Sequence, residues 1–455
     1  MQFNLFRLNN NSNFKTMHKI DQNSLTTNAL FIIPLDEMIP QDHPKRAILD
    51  KLPWDELVKI GKLAYTSDGW KDKPNARIMV GLFVWDCITD DTTYRNIEDD
   101  FSFNSLCAYA CGFKNIEKRK IHHTTLIKFE ENLGEENILK IKDIIEKISV
   151  DQQPPNSKGR ITSDTTVFES NITFPTDTKL MEKVRLFLVN DIIKEYEKQV
   201  DQSYRTYNRV ARKDFLDFAK KRITSQKQVQ QIRKKQLQYL KRNLQQAEEV
   251  LKGLKEKGIL SEGKTNQKIL KRLKTKLSIA QQIYSQQRAL YQGEKISDRI
   301  VSFHRPNVRP IFRGKAKKKT EFGVKVQTSL MGKALIIGKF SYDNFHDGKG
   351  TKESLIEIQK KGYPLKEIIG DKGLSGITDF LKENDITDGI EKRGKRKKEP
   401  PIPKKRFARE RNRKEGSYGL IKTVFIRGGL RAKTDFGDLK KICKSAIGFN
   451  LRYAF

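Results

Sequence analysis

Four cysteines, Cys87, Cys107, Cys111 and Cys443, are all that 455 residues contain, too few and too scattered for a disulfide framework. Cys107 and Cys111 precede His122 and His123, but at no spacing common to zinc sites, and both fall in the apolar stretch SLCAYACGF, which reads as buried free thiols. No apolar run approaches the length of a membrane span, and the start MQFNLFRLNNNSNFK lacks the apolar core of a signal peptide. The expectation is a cytoplasmic protein with no membrane partner. Acid is also in short supply: 56 Asp and Glu stand against 90 Lys and Arg, a formal net charge of +34. A surface so positive attracts a polyanion, and nucleic acid is the first partner it suggests, ahead of a ribosome-associated or membrane-surface role. The hydrophobic share of 36% suffices for two or three modest cores, while the mean hydropathy of −0.67 points to long solvated stretches.

Residues 1–29 are Asn-rich and polar and read as a disordered tail. Over 30–150 the pattern is helical, with Ile78, Leu82 and Trp85 on one face and Ile97 and Phe101 continuing it. The segment HHTTLIKFEENLG predicts a helix capped at Thr124 or Thr125 and stopped at Gly134. This all-helical domain suits gripping DNA, or packing and dimerisation, since no recognition helix stands out. After the linker DQQPPNSKGR, the run GRITSDTTVF reads as a strand. Residues 191–300, rich in Lys, Arg, Gln and Leu and broken at KEKGILSEGKTN, predict two long helices in an antiparallel hairpin. Its stripe of Leu237, Leu240, Leu244, Val250 and Leu251 is wide enough for a partner helix but not for a globular core. Strand signals return at TEFGVKVQTSL and GKALIIGKFSY, and a helix capped near Thr351 follows. Residues 151–190 and 301–455 thus read as α/β stretches on either side of the hairpin.

Three acids in this second half sit in settings that suit a metal ligand. Asp164 lies within a strand, facing away from the side of Ile161, Thr165 and Val167, so it either meets solvent or holds a cation. Asp371 ends the short buried strand of PLKEIIGD, the position where open α/β sheets place ligands, although Asp-Lys-Gly also suits an ordinary turn. In RERNRKEGSYGLIK, Arg411, Glu415 and Lys422 fall within roughly 40° of one another at about 100° per residue, a carboxylate flanked by two cations on one helical face. A surface salt-bridged helix would look alike, but Gly416 and Gly419 weaken it by about 1 kcal/mol each, a cost that close approach of sheet, DNA or partner explains.

In that order, Asp164-Thr-Thr, Asp371-Lys-Gly and Arg411-x3-Glu415-x6-Lys422 resemble the catalytic signature of bacterial insertion-sequence DDE transposases, and the preceding helical domain and the closing AIGFNLRY are similar to that family too. Many relatives carry a tyrosine three residues before the arginine, where this chain has Ala408 beside Phe407. The resemblance implies that residues 151–190 and 301–455 make one domain, a ribonuclease-H-like mixed sheet with flanking helices, in which the helical hairpin is an insertion. It implies that Asp164, Asp371 and Glu415 hold two Mg²⁺ or Mn²⁺ ions for phosphoryl transfer, while Arg411 and Lys422 hold phosphates. The implied partners are double-stranded DNA, as terminal inverted repeats and target, and a second copy of the chain, in a nucleoid-associated setting. The alternative is a transposase-derived, sequence-specific DNA-binding protein without cutting activity. His346 and Asp347, in FHDGKG, read as loop or capping residues, and EKRGKRKKEPPIPKKRFARERNRK as an exposed DNA-binding segment.

Overall fold

The structure, a computed structural model, describes residues 34–65, 74–89, 93–115, 117–260, 262–312, 320–391 and 403–455. The expected tail at 1–29 and most of the basic run before Lys404 lie outside these residues.

Seven helices come first: α1 (Leu35–Met38), α2 (Pro44–Asp50), α3 (Trp54–Gly61), α4 (Ala76–Ile88), α5 (Tyr94–Phe103), α6 (Ser105–Ala110) and α7 (His123–Asp151). Apolar on every side, α4 is buried among the others, with Trp85 1% exposed and its Nε1 donating to Asp100 Oδ2 at 2.8 Å. All four cysteines are free and buried. Gly134 ends the first helical segment of α7 as expected: at φ 73° and ψ 175° its backbone is not helical, and a second helical segment starts directly after it and runs to Asp151. The cap is His122 rather than Thr124 or Thr125, its ring accepting from the Thr124 N–H.

The strand read from GRITSDTTVF is β1 (Gly159–Glu169), followed by α8 (Asp177–Phe187), a π-helical turn over Leu188–Ile193, α9 (Lys194–Tyr196) and α10 (Asn208–Ala219). The long pair α11 (Gln226–Glu256) and α12 (Lys264–Tyr291) completes this part. Its apolar content is larger than the hairpin stripe suggested. Leu240, Leu244, Val250 and Leu254 of α11 and Leu273 and Ile283 of α12 pack with Leu180, Val184, Leu188 and Ile192 and with Phe303 into one buried cluster. The extra area comes from α8 and the π turn, whose apolar face pairs with the hairpin only in three dimensions.

Next come β2 (Arg309–Phe312), β3 (Thr320–Met331) and β4 (Ala334–Ser341), the last two forming the expected hairpin around Gly332. Helix α13 (Asp347–Lys360) starts at a His346 cap, before the expected Thr351. The chain ends with β5 (Leu365–Gly370), α14 (Thr378–Glu383), β6 (Thr387–Ile390), α15 (Lys404–Leu420), a π turn over Ile421–Phe425, and α16 (Asp435–Tyr453).

The strands form one mixed sheet, ordered β2-β3-β1-β5-β6, with β4 on the same edge of β3 as β2. Central β1 runs antiparallel to β3 and parallel to β5, which is parallel to β6. Strand alternation sorts β1 to two faces. Ile161 joins a cluster with Leu355 and Ile358 of α13, while Phe168 joins one with Ile421, Phe425 and Phe449. Asp164 shares the parity of Phe168 and so faces the α15–α16 side. Helix α16 serves two cores, giving Leu439, Cys443 and Ile447 to the N-terminal helices and Ile442, Ala446 and Phe449 to the sheet. It lies so close to α4 that a methyl group on Gly448 would stand 2.0 Å from the Cys87 carbonyl oxygen. Among the described residues, no helix is long and apolar enough to cross a membrane.

Candidate active site

Ladder register brings two of the three acids together. Ile161 pairs with Ile368 and Thr162 with Ile369. Continued two steps, that parallel register sets Asp371, just past the end of β5, level with Asp164. Helix α15 lies over β1 and β5, and it brings in the third acid. Asp164, Asp371 and Glu415 line a single narrow cleft, with room for about one water-sized sphere (about 10 Å³), together with Thr162, Ser163, Gly370, Arg411 and Lys414.

Each acid is held differently. Asp164 Oδ1 accepts from the Thr165 N–H at 2.7 Å, and Asp371 Oδ1 accepts from the Gly373 N–H at 2.9 Å, which fixes the turn after β5. Glu415 is looser: its side chain is 65% exposed and its Oε1 lies 3.7 Å from Arg411 Nη2. Arg411 also reaches Glu391 Oε2 at 3.4 Å, and Lys372 Nζ lies 3.6 Å from Glu391 Oε1. Glu391, just beyond β6, thus ties the cation of α15 to the turn that carries Asp371. Sequence reading missed it because a lone Glu at a strand end carries no pattern.

Lys422 does not line the cleft. The α-helix ends at Leu420 and Lys422 sits in the π turn, where the 100° step assumed for it fails, and its Nζ lies over the Phe168 ring at 5.8 Å. Lys414 takes the inner position instead. It is 2% exposed, donates from Nζ to Thr328 Oγ1 at 2.6 Å, and stands over the Tyr418 ring at 4.9 Å. Burial pushes its ammonium below the usual lysine range, and the field of Asp164 pulls it back up. A lysine next to Glu415 in a basic helix gives no sign in sequence that it is the buried one.

His346 caps α13, and Asp347 is a support on the opposite face of the sheet, 2.7 Å from Lys325 Nζ and accepting from Thr165 Oγ1 at 2.8 Å. A second hollow shares Thr162 with the cleft and is lined by Arg160, Arg406, Arg409 and Arg413. Among the described residues, two carboxylates pair with these four guanidiniums: Glu367, 2.5 Å from Arg406 and 3.4 Å from Arg160, and Glu410, 2.6 Å from Arg413 and 3.8 Å from Arg409. The hollow therefore keeps a net positive charge beside the acids.

Among the described residues, the side chains whose metal-type donor atoms all fall within 4.8 Å of one another are Glu98, His122 and His123, not the three acids. Those groups are engaged at the start of α7, where Glu98 Oε2 lies 2.9 Å from both the backbone nitrogen and Nδ1 of His123. In the cleft, Glu415 is the most exposed of the three acids, and its carboxylate lies beside Arg411.

Residues 33–132 match the family model described as "Transposase domain (DUF772)". No curated protein matches the chain. No solved structure does either.

Proposed function

We propose that this protein is a DNA transposase, a metal-dependent enzyme that cuts the ends of a mobile element and joins them to target DNA at Asp164, Asp371 and Glu415. The observation that carries this reading is the convergence on one cleft of three acids that lie in β1, after β5 and in α15. The transposase-domain match of residues 33–132 supports it from a separate part of the chain. The sheet order, with β3 antiparallel beside central β1 and β5 and β6 parallel to it, supports a ribonuclease-H-like core.

The donor set fits a hard divalent cation. All three groups are carboxylates at an open cleft, and Glu415, being largely exposed, is able to rotate toward the two strand acids. Mg²⁺ or Mn²⁺ bound there, two ions per site, would activate the attacking oxygen and neutralise charge on the scissile phosphate. The chain itself positions the DNA. Arg411, at the cleft rim, offers a planar guanidinium to a non-bridging phosphate oxygen, releasing Glu415 as it does so. The arginine-lined hollow beside Thr162 continues the positive surface along which the sugar-phosphate backbone runs.

Both steps are in-line displacements at phosphorus. In cleavage a water oxygen bonds to phosphorus, the bond to the 3′ oxygen breaks, and a 3′-hydroxyl is left. In joining, that hydroxyl oxygen attacks a target phosphodiester, so one P–O bond forms as another breaks and no external energy source is needed. Two ends must be joined, which calls for two copies of the chain on the DNA.

Incubating the protein with terminal-repeat DNA and Mg²⁺ tests this reading. Asp371→Ala is expected to bind the DNA and leave it uncut. Equal cleavage by both proteins would sink the site assignment, and absence of cleavage by both would favour a DNA-binding protein that does not cut.

A further inference from the structure

We infer that Lys414 is the built-in counter-ion of Asp164, a positioning residue that holds this carboxylate at the cleft floor and that incoming divalent ions must work against. The inference rests on the reading of the cleft as a metal site, but its core, a buried ammonium set beside the half-buried Asp164 carboxylate, is testable without metal.

An ammonium removed from water needs an anion or a full set of acceptors. Lys414 is 2% exposed, and the contacts around its Nζ are a hydroxyl, Thr328 Oγ1 at 2.6 Å, and the face of Tyr418. Thr328 Oγ1 in turn donates to the Tyr418 hydroxyl at 2.9 Å. Both partners are neutral. The charge that answers the ammonium is located by strand register: Thr328 is the residue directly opposite Asp164 in the β1–β3 ladder. Directly opposed residues project from the same face with Cβ atoms about 4.5–5.5 Å apart. A lysine bonded to Thr328 is therefore held beside Asp164, and both line the same cleft.

Helix geometry explains how one helix supplies both signs. Lys414 and Tyr418, four residues apart, point inward together, while Glu415, turned by about 100°, stands on the rim. The cleft thus has a buried lysine at its floor and an exposed carboxylate at its mouth. The ammonium offsets the Asp164 carboxylate before metal arrives. It also repels a divalent ion drawn to the same carboxylate, so affinity for that ion is held down.

Mn²⁺ titration calorimetry on the full chain, with melting curves in EDTA, tests the inference in the wild type, Lys414→Met, Asp164→Asn and the double variant. Methionine keeps the length and volume of the side chain without its charge. Lys414→Met is expected to bind Mn²⁺ at least tenfold more tightly while melting lower in EDTA, with Mn²⁺ restoring the loss. The double variant is expected to melt above either single variant, because no unpaired charge is left. Unchanged Mn²⁺ affinity in Lys414→Met, or additive losses in the double variant, would overturn the pairing. Should Lys414→Met fail to fold, recovery of folding by adding Asp164→Asn supports the pair, and failure to recover refutes it. A wild type that binds no Mn²⁺ would end the metal reading, leaving the melting curves to decide the pair.

Discussion

The Arg305 guanidinium donates to Asp438 Oδ2 at 2.5 Å, joining the segment that leaves the helical insertion to the first turn of α16. Asp438 is 1% exposed and also accepts from the Tyr342 hydroxyl at 2.8 Å, while Arg305 reaches the Ala432 carbonyl at 2.6 Å. Removing Asp438 leaves Arg305 only the half-exposed Asp435, 3.1 Å away, as its carboxylate partner. Asp438→Ala is therefore expected to lower unfolding stability by about 2–3 kcal/mol. In urea denaturation, Arg305→Met combined with Asp438→Leu should lose less than Asp438→Ala alone.

The arginine-lined hollow gives a second prediction. Arg409→Glu with Arg413→Glu is expected to weaken binding to duplex DNA and to reduce the slope of log affinity against log salt by about 1–2, since each phosphate contact contributes roughly 0.9. Filter binding over a range of NaCl concentrations measures this. A double variant with the wild-type slope would show that the DNA runs elsewhere.

Acid sensitivity follows from Asp143, on α7. Burial raises its carboxyl pKa, but Lys142 and Lys361, at 2.6 and 2.7 Å, outweigh that and hold it below the ordinary 3.8. A carboxyl lowered in the fold contributes stability that is present above its unfolded pKa and lost as pH falls through the folded one. Asp143→Asn should thus melt below the wild type at pH 6–7, and the two curves should converge as pH drops beneath about 3.8. Melting temperatures across pH 2.5–7 read this directly.

Gly448 supplies a packing test. Its missing Cβ is what allows α16 to approach the Cys87 carbonyl, and backbone does not give way as a side-chain tip does. Gly448→Ala is expected to cost about 1–3 kcal/mol by overpacking. An unchanged thermal midpoint would mean the helices part freely.

Elements with strong local texture were legible before any coordinates. β1 with its Ile, Thr and Val, the β3–β4 hairpin, and α11 with its leucine stripe stand where composition put them. The four-residue strands β2 and β6 did not show, because RPIF and TDGI are too short to display a period. Asp164, Asp371, Glu415 and Arg411 were named from type and spacing, and they line one cleft. Lys414 and Glu391 were missed because their significance lies in what faces them across the sheet. Lys422 lies beyond the α-helical end, in a turn whose winding differs from the single helical step used to place it beside Arg411 and Glu415.

The place where the insertion enters has a consequence in time. About 150 residues separate the end of β1 from the start of β3, and at roughly 5–20 residues per second the ribosome needs some 8–30 s to supply the antiparallel neighbour. β5, the parallel neighbour, comes later still. During that delay the central strand of the sheet is an exposed edge on a nascent chain, open to pairing with whatever strand it meets. A segment with its own apolar cluster is able to fold during the wait. The helices between β1 and β2 thereby become a timer on the sheet's assembly, and faster or slower translation through them should change how much of the protein is recovered in aggregates.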